Sequence, residues 1–234
     1  MAALTDLIAE PGRAALFFDV DGVLAPIVGR PADARVPDET RAELRRLAAR
    51  YALVACVTGR PSAVAREVVG VPELVYAGEH GLELDPAAAG WATRIDAFAA
   101  RWDAEVERKP LSVSYHYRSA ADPAAARSAL AEVERAAAAE GFRTRWGRMV
   151  LEILPPVDAS KGTAVRHLLA ANGLDRALYA GDDTTDLDGF TALDGLETAV
   201  RVAVASSEGP VELRERADIV LPSADAVLGF LREL

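Results

Sequence analysis

The sequence has one cysteine, two lysines and no apolar run of membrane-spanning length in 234 residues. The single Cys56 lies in the apolar run 52–57, so a disulfide framework and a cysteine-based metal site are both excluded, and buried strand packing is its reading. No stretch approaches the ~18 consecutive apolar residues of a transmembrane helix. The first fifteen residues carry Asp6, Glu10, Pro11 and Arg13 where a secretory leader needs an apolar segment, so a cytoplasmic protein with no membrane partner is expected. Lys109 and Lys161 are the two lysines, and every other cation is arginine. With the abundant alanine this looks like GC-rich codon usage, and it singles out the two lysines. Acidic side chains number 36 against 26 basic, and the net charge of −10 repels a phosphate backbone, which argues against nucleic acid as partner. A small-molecule partner and an acidic monomer are the expectation. With 51% hydrophobic residues, the length suits one core carrying a modest insertion.

Apolar runs and helical patterns alternate at both ends of the chain. Residues 14–20, 52–57 and 73–77 read as strands, with helices over 38–50 and 61–69. Late in the chain, helices over 160–172, 184–193 and 224–231 alternate with strands over 177–180, 199–204 and 218–221. This rhythm predicts an α/β core with a parallel sheet covered on both faces. Between the two halves the order changes to helix (91–107), strand (111–118), helix (123–140) and two strands (142–146, 149–154). The expectation is a core domain of residues 1–83 and 156–234 with an inserted α+β cap domain over 84–155.

Four short strings carry chemistry. Asp19 and Asp21 in DVDGVL follow the first strand at spacing i and i+2, which aims both carboxylates the same way. Beyond the carboxyl ends of parallel strands is where ligands bind. A calcium loop is rejected, because the twelfth position from Asp19 is Arg30 and not the bidentate glutamate. GDDTTD at 181–186 repeats the pattern after another strand. Alone, either string reads equally well as a surface turn or a solvated acidic loop. Together they repel unless a cation lies between them, and Mg²⁺, which takes oxygen ligands, is the natural candidate. Thr58, Gly59 and Arg60 after the second strand, and Lys161 at a helix start, offer donors to a phosphate oxygen.

The ordered set of DVDGVL, TGR, KG and GDDTTD, with a cap-sized insertion between the second and third, resembles the haloacid dehalogenase (HAD) superfamily of phosphoryl-transfer enzymes. The resemblance implies a Rossmann-like HAD core with a C2-type cap. It implies Asp19 as nucleophile forming an aspartyl phosphate, Asp21 as general acid and base, Thr58 and Lys161 as charge-offsetting catalytic groups, and Mg²⁺ held by Asp19, the Asp21 carbonyl and Asp182 with Asp186 in support.

Within and beside the insertion, GEHG at 78–81, KPLSVSYHYR at 109–118 and GRMVLEILP at 147–155 mix charges with strand formers. Ser112, Ser114, His116 and Arg118 share one face by period two, and Val113, Tyr115 and Tyr117 the other. These strings resemble those of trehalose-6-phosphate phosphatases. By that resemblance Lys109, His116, Arg118, Arg148 and Glu152 bind sugar hydroxyls, while Glu79 and His80, with Thr58, Gly59, Arg60 and Lys161, line the core side of the substrate site. The plainer account makes His116 and Arg118 ordinary strand residues and Glu152 a surface acid. Val23, Leu154, Leu187 and Arg148 depart from the usual threonine, arginine, glutamate and lysine. The implied activity is Mg²⁺-dependent hydrolysis of trehalose 6-phosphate. A phosphatase for another glycosyl, pseudosaccharide or hexose phosphate, a phosphomutase and a non-catalytic sugar-phosphate sensor are the alternatives.

Overall fold

The structure, a computed structural model, describes residues 2–102, 106–147, 149–206 and 209–234. In chain order the elements are α1 (Ala2–Ala9), β1 (Ala14–Phe18), α2 (Asp38–Arg50), β2 (Leu53–Val57), α3 (Ser62–Val69) and β3 (Val75–Ala77). There follow α4 (Ala92–Ala99), β4 (Val106–Arg108), β5 (Val113–His116), α5 (Pro123–Ala139), β6 (Arg143–Gly147) and β7 (Val150–Leu154). Then come α6 (Lys161–Asn172), β8 (Arg176–Gly181), α7 (Asp186–Ala192), β9 (Thr198–Val204), α8 (Val211–Arg216), β10 (Ile219–Leu221) and α9 (Val227–Glu233). The chain divides into two compact units, one of Met1–Gly81 with Ala159–Leu234 and one of Leu82–Asp158.

The first unit is built on a six-stranded sheet in the order β10-β9-β8-β1-β2-β3. All its pairings are parallel. The central strands β1, β2 and β8 are buried along their whole length, which is why they read as continuous apolar runs without alternation. Cys56 is free and buried within β2. β1 ends at Phe18, two residues earlier than the apolar run suggests. The Val20 carbonyl accepts the N–H groups of Leu24 and Ala25 at 3.0 and 2.8 Å, so it closes a turn and not a ladder.

Two further boundaries differ from the sequence reading. α7 starts at Asp186 because the residues before it form a turn held by the Asp186 carboxylate. The last helix starts at Val227, after a short 3₁₀ turn over Ala224–Ala226.

The second unit has a four-stranded antiparallel sheet, β4-β5-β7-β6. Val113, Tyr115, Leu151 and Ile153 point to one side and pack with Ile95, Phe98, Leu130 and Val133 of the two helices. Asp122 caps α5 by accepting the N–H groups of Ala124 and Ala125 at 3.0 Å. One expectation fails here. The helix expected over 91–107 stops at Ala99, and Val106–Arg108 forms a strand at the sheet edge, with Val106 opposite Tyr115. Glu107 and Arg108 suit a helix by propensity, but pairing with β5 overrides so weak a local preference.

Candidate active site

Asp19, Thr58 and Asp182 each follow the carboxyl end of a strand, β1, β2 and β8. These strands are parallel neighbours, so the three residues emerge at one edge of the sheet. Asp19 N–H donates to the Ala180 carbonyl at 2.9 Å, which ties its backbone to the strand preceding Asp182. Its Oδ1 accepts the Val20 N–H at 2.6 Å and its Oδ2 accepts Lys161 Nζ at 2.6 Å. Lys161 opens α6, whose start is secured by a capping box between Ser160 and Thr163. It is 2% exposed and also donates to Asp186 Oδ1 at 2.6 Å.

Asp186 is the hub of this cluster. Its Oδ1 receives the Tyr179 hydroxyl (2.7 Å) as well as Lys161, and its Oδ2 receives the N–H groups of Asp182 and Asp183, each at 2.9 Å. With four donors on two oxygens, its acceptor capacity is used in holding the lysine and shaping the loop. Tyr179 was not singled out in the sequence, where it is one more residue of an apolar strand. Gly189 accommodates it: a Cβ there would fall 2.4 Å from the Tyr179 ring.

Carboxylate oxygens of Asp19, Asp182 and Asp186 lie within 4.8 Å of one another, and all three residues are buried. Burial raises the Asp19 carboxyl to about 7; Lys161 opposes this, and the Asp186 and Asp21 charges add to it. Burial likewise raises Asp182 to about 8, assisted by the charges of Asp19 and Asp186. Burial alone would lower Lys161, but the two aspartates it touches outweigh that and raise it. Three buried carboxylates thus face one ammonium. This excess of negative charge on an all-oxygen donor set fits a hard divalent cation. Gly22, at φ 78°, lets the Asp182 carboxylate lie against the turn after Asp21; a Cβ there would fall 2.1 Å from Asp182 Oδ2.

Asp21 stands beside this cluster and is gripped by Arg60, Nε to Oδ2 at 2.6 Å and Nη2 to Oδ1 at 2.7 Å. Thr58 is buried, and its Oγ1 accepts the Arg60 N–H at 3.2 Å. The loops after β2 and β3 are stitched together by His80 N–H to the Thr58 carbonyl (2.8 Å) and Glu79 N–H to the Arg60 carbonyl (2.9 Å). Glu79 and His80 both hold positive φ, 46° and 55°. Such conformations are costly for residues with a Cβ and persist where the surroundings enforce them. His80 packs so closely on Gly59 that a Cβ there would meet its Nε2 at 2.6 Å.

In the second unit, Glu152 lies mid-sheet on the face away from the helices. It is 7% exposed, with Arg145 opposite it on β6 and Ser114 on β5. Arg145 donates to its Oε2, and Lys109 Nζ and Ser114 Oγ each lie 3.5 Å from its Oε1. Burial alone would raise the Glu152 carboxyl; Arg145 and Lys109 outweigh it and hold the group below its usual range. His116 is exposed and contacts Glu107 at 3.0 Å, and Arg118 is exposed in the turn past β5. Arg148 lies outside the described residues. Arg145 and Glu107 were not singled out from the sequence; strand alternation puts Arg145 on a face, and only the β6–β7 register shows that this face carries Glu152.

Known proteins resemble this chain in sequence and in fold. Residues 17–103 and 95–221 match the family model described as trehalose-phosphatase. A trehalose-phosphate phosphatase of Mycobacterium avium (strain 104) is 38% identical over 208 residues, 77% of this chain and 51% of that protein. The chain thus spans about half the length of the curated relative it matches. The C-terminal domain of C. albicans trehalose-6-phosphate phosphatase superposes with a TM-score of 0.76 at 24% identity, over 98% of this chain and 95% of that one. A haloacid dehalogenase-like hydrolase from Bacteroides thetaiotaomicron superposes at 0.64 with 14% identity, over 94% and 98%, and shares the fold. No helix of the described residues is long and apolar enough to cross a membrane.

Proposed function

This chain belongs to the trehalose-phosphatase family, and from that premise we propose that it hydrolyses trehalose 6-phosphate to trehalose and inorganic phosphate with the help of Mg²⁺. The observation that carries the reading is the pair formed by Asp19 and Lys161, buried at the sheet edge among Asp182 and Asp186. Asp19 attacks the phosphorus, the bond to the sugar oxygen breaks, and Asp21 gives that oxygen a proton. Water then attacks the aspartyl phosphate while Asp21 takes its proton, which restores the Asp19 carboxylate and the protonated Asp21 and releases phosphate.

A carboxylate is repelled by a phosphate dianion. Lys161 offsets part of that charge and, through its two short bonds, holds Asp19 in one orientation. Asp19 and Asp182 with the Asp21 carbonyl would hold Mg²⁺, which when bound supplies the remaining positive charge for phosphate binding. Asp186 supports that set through Lys161 and the main-chain N–H groups of the Asp182 loop. Arg60 fills one acceptor site on each Asp21 oxygen, so a second site on each remains for the proton it exchanges. Thr58 and the Gly59–Arg60 turn border the phosphate, and Glu79 and His80 line the substrate site. Lys109, His116, Arg118, Arg148 and Glu152 supply sugar recognition, and the second unit acts as the cap.

The experiment is a phosphate-release screen with Mg²⁺ over trehalose 6-phosphate, sucrose 6-phosphate, glucose 6-phosphate and a cyclitol phosphate. Preference for trehalose 6-phosphate is expected. Preference for another of these would move the substrate assignment, and release from none would remove the phosphatase reading.

A further inference from the structure

Glu152 receives its two shortest bonds on one oxygen. Arg145 Nε and Nη2 reach Oε2 at 2.8 and 2.5 Å. Oε1 meets Ser114 Oγ and Lys109 Nζ at 3.5 Å each, the outer limit of such contacts. The carboxylate is therefore anchored at one oxygen and lightly held at the other. A nearly buried acid between two cations is a weak way to stabilise a small sheet, since apolar side chains of similar volume often do as well or better. What the ionic arrangement adds is a carboxylate of fixed direction, and direction matters for recognising hydroxyl groups.

We propose that Arg145 is a positioning residue for sugar recognition: it fixes Glu152 so that Oε1 accepts a hydrogen bond from a hydroxyl of the sugar portion of the substrate. This deepens the phosphatase reading above and rests on it. Arg145 acts through Glu152 and need not touch the substrate. The antiparallel register that sets Arg145, Glu152 and Ser114 in one line across three strands is what makes the pairing rigid.

The test uses the whole chain with Mg²⁺ and compares trehalose 6-phosphate with p-nitrophenyl phosphate, which has no sugar. Arg145→Ala is expected to raise KM for the sugar phosphate about tenfold, the size of one charge-assisted hydrogen bond, with kcat and the generic ester unchanged. Arg145→Lys should recover part of the loss. In a Glu152→Ala background, Arg145→Ala should add no further loss. Equal losses on both esters, in the alanine and lysine variants alike, would make Arg145 a scaffold residue and overturn the proposal. A full Arg145 effect persisting without Glu152 would overturn it too, since the arginine would then be acting directly. If the unaltered chain does not favour trehalose 6-phosphate over the generic ester, the substrate reading itself has failed. A preference that survives Arg145→Ala removes only the positioning role.

Discussion

Arg60 holds Asp21 in a two-pronged grip, with Nε and Nη2 at 2.6 and 2.7 Å from the two carboxylate oxygens. The arginine follows β2 and the aspartate follows β1, so the pair bridges two neighbouring strand ends. From the sequence Arg60 is a donor for phosphate; in the structure its guanidinium also binds the proposed general acid and base.

Replacing Arg60 therefore acts on proton transfer. Arg60→Ala should lower kcat for trehalose 6-phosphate about a hundredfold, the low end of what general acid–base groups supply. Arg60→Lys should recover little, because an ammonium cannot reproduce a planar fork. Steady-state kinetics decide, and a lysine variant of undiminished rate would show that the fork geometry is irrelevant.

Asp19→Asn removes the proposed nucleophile and keeps the shape. Turnover should fall by at least about three orders of magnitude, the scale on which loss of a nucleophile acts. The melting temperature should change little, since the buried site loses one of three crowded carboxylates while Lys161 keeps Asp186. Residual activity near that of the unaltered chain would exclude attack by this side chain.

The crowding also predicts a pH response. Asp19 and Asp182 carry folded-state values of about 7 and 8 against 3.8 for the ordinary group. The folded protein thus keeps protons that the unfolded chain has released. The stability from the neutral forms is complete below the unfolded value and is lost as pH rises through 7 and 8. Metal-stripped protein should melt at a lower temperature at about pH 8.5 than at about pH 5, and saturating Mg²⁺ should raise the melting temperature more at the higher pH. Thermal melts with and without chelator measure this. A magnesium effect independent of pH would mean that the ion does not bind these two carboxylates.

Tyr179→Phe keeps the ring packed against Phe190 and Gly189 but deletes the hydroxyl bonded to Asp186. A loss of about 1.5–3 kcal/mol in chemical unfolding is expected, the scale for a buried hydrogen bond to a charged group. The rate should also drop, because Asp186 steadies both Lys161 and the Asp182 loop. A variant as stable and active as the parent would mean that Asp186 needs only its other three donors.

Much of the core could be read in advance because its strands are buried on both faces, so five-residue runs such as 14–18 and 53–57 are apolar throughout. The carboxylates announced themselves by standing just past those runs. Val106–Arg108 did not, because three residues with two charges acquire strand geometry only by pairing with β5. Tyr179 and Arg145 were equally silent. One looks like strand filler and the other like one arginine among many, and their partners lie across a hydrogen bond or a strand register that spacing does not encode.

By itself the sequence determined the core strands, though not Val106–Arg108, and the polar strings beside them, since burial dictates apolar runs and turns collect polar groups. That Asp19, Asp182 and Lys161 belong to one chemistry is what the resemblance of the ordered strings implied. Only the tertiary structure decided who holds whom: Arg60 on Asp21, Asp186 on Lys161, Arg145 on Glu152. Each of those pairs joins residues brought together by a parallel crossover, the packing of α6 against α7 or a hairpin register. Hydrogen bonds of that kind depend on ångström distances, which are set only when the sheets are assembled.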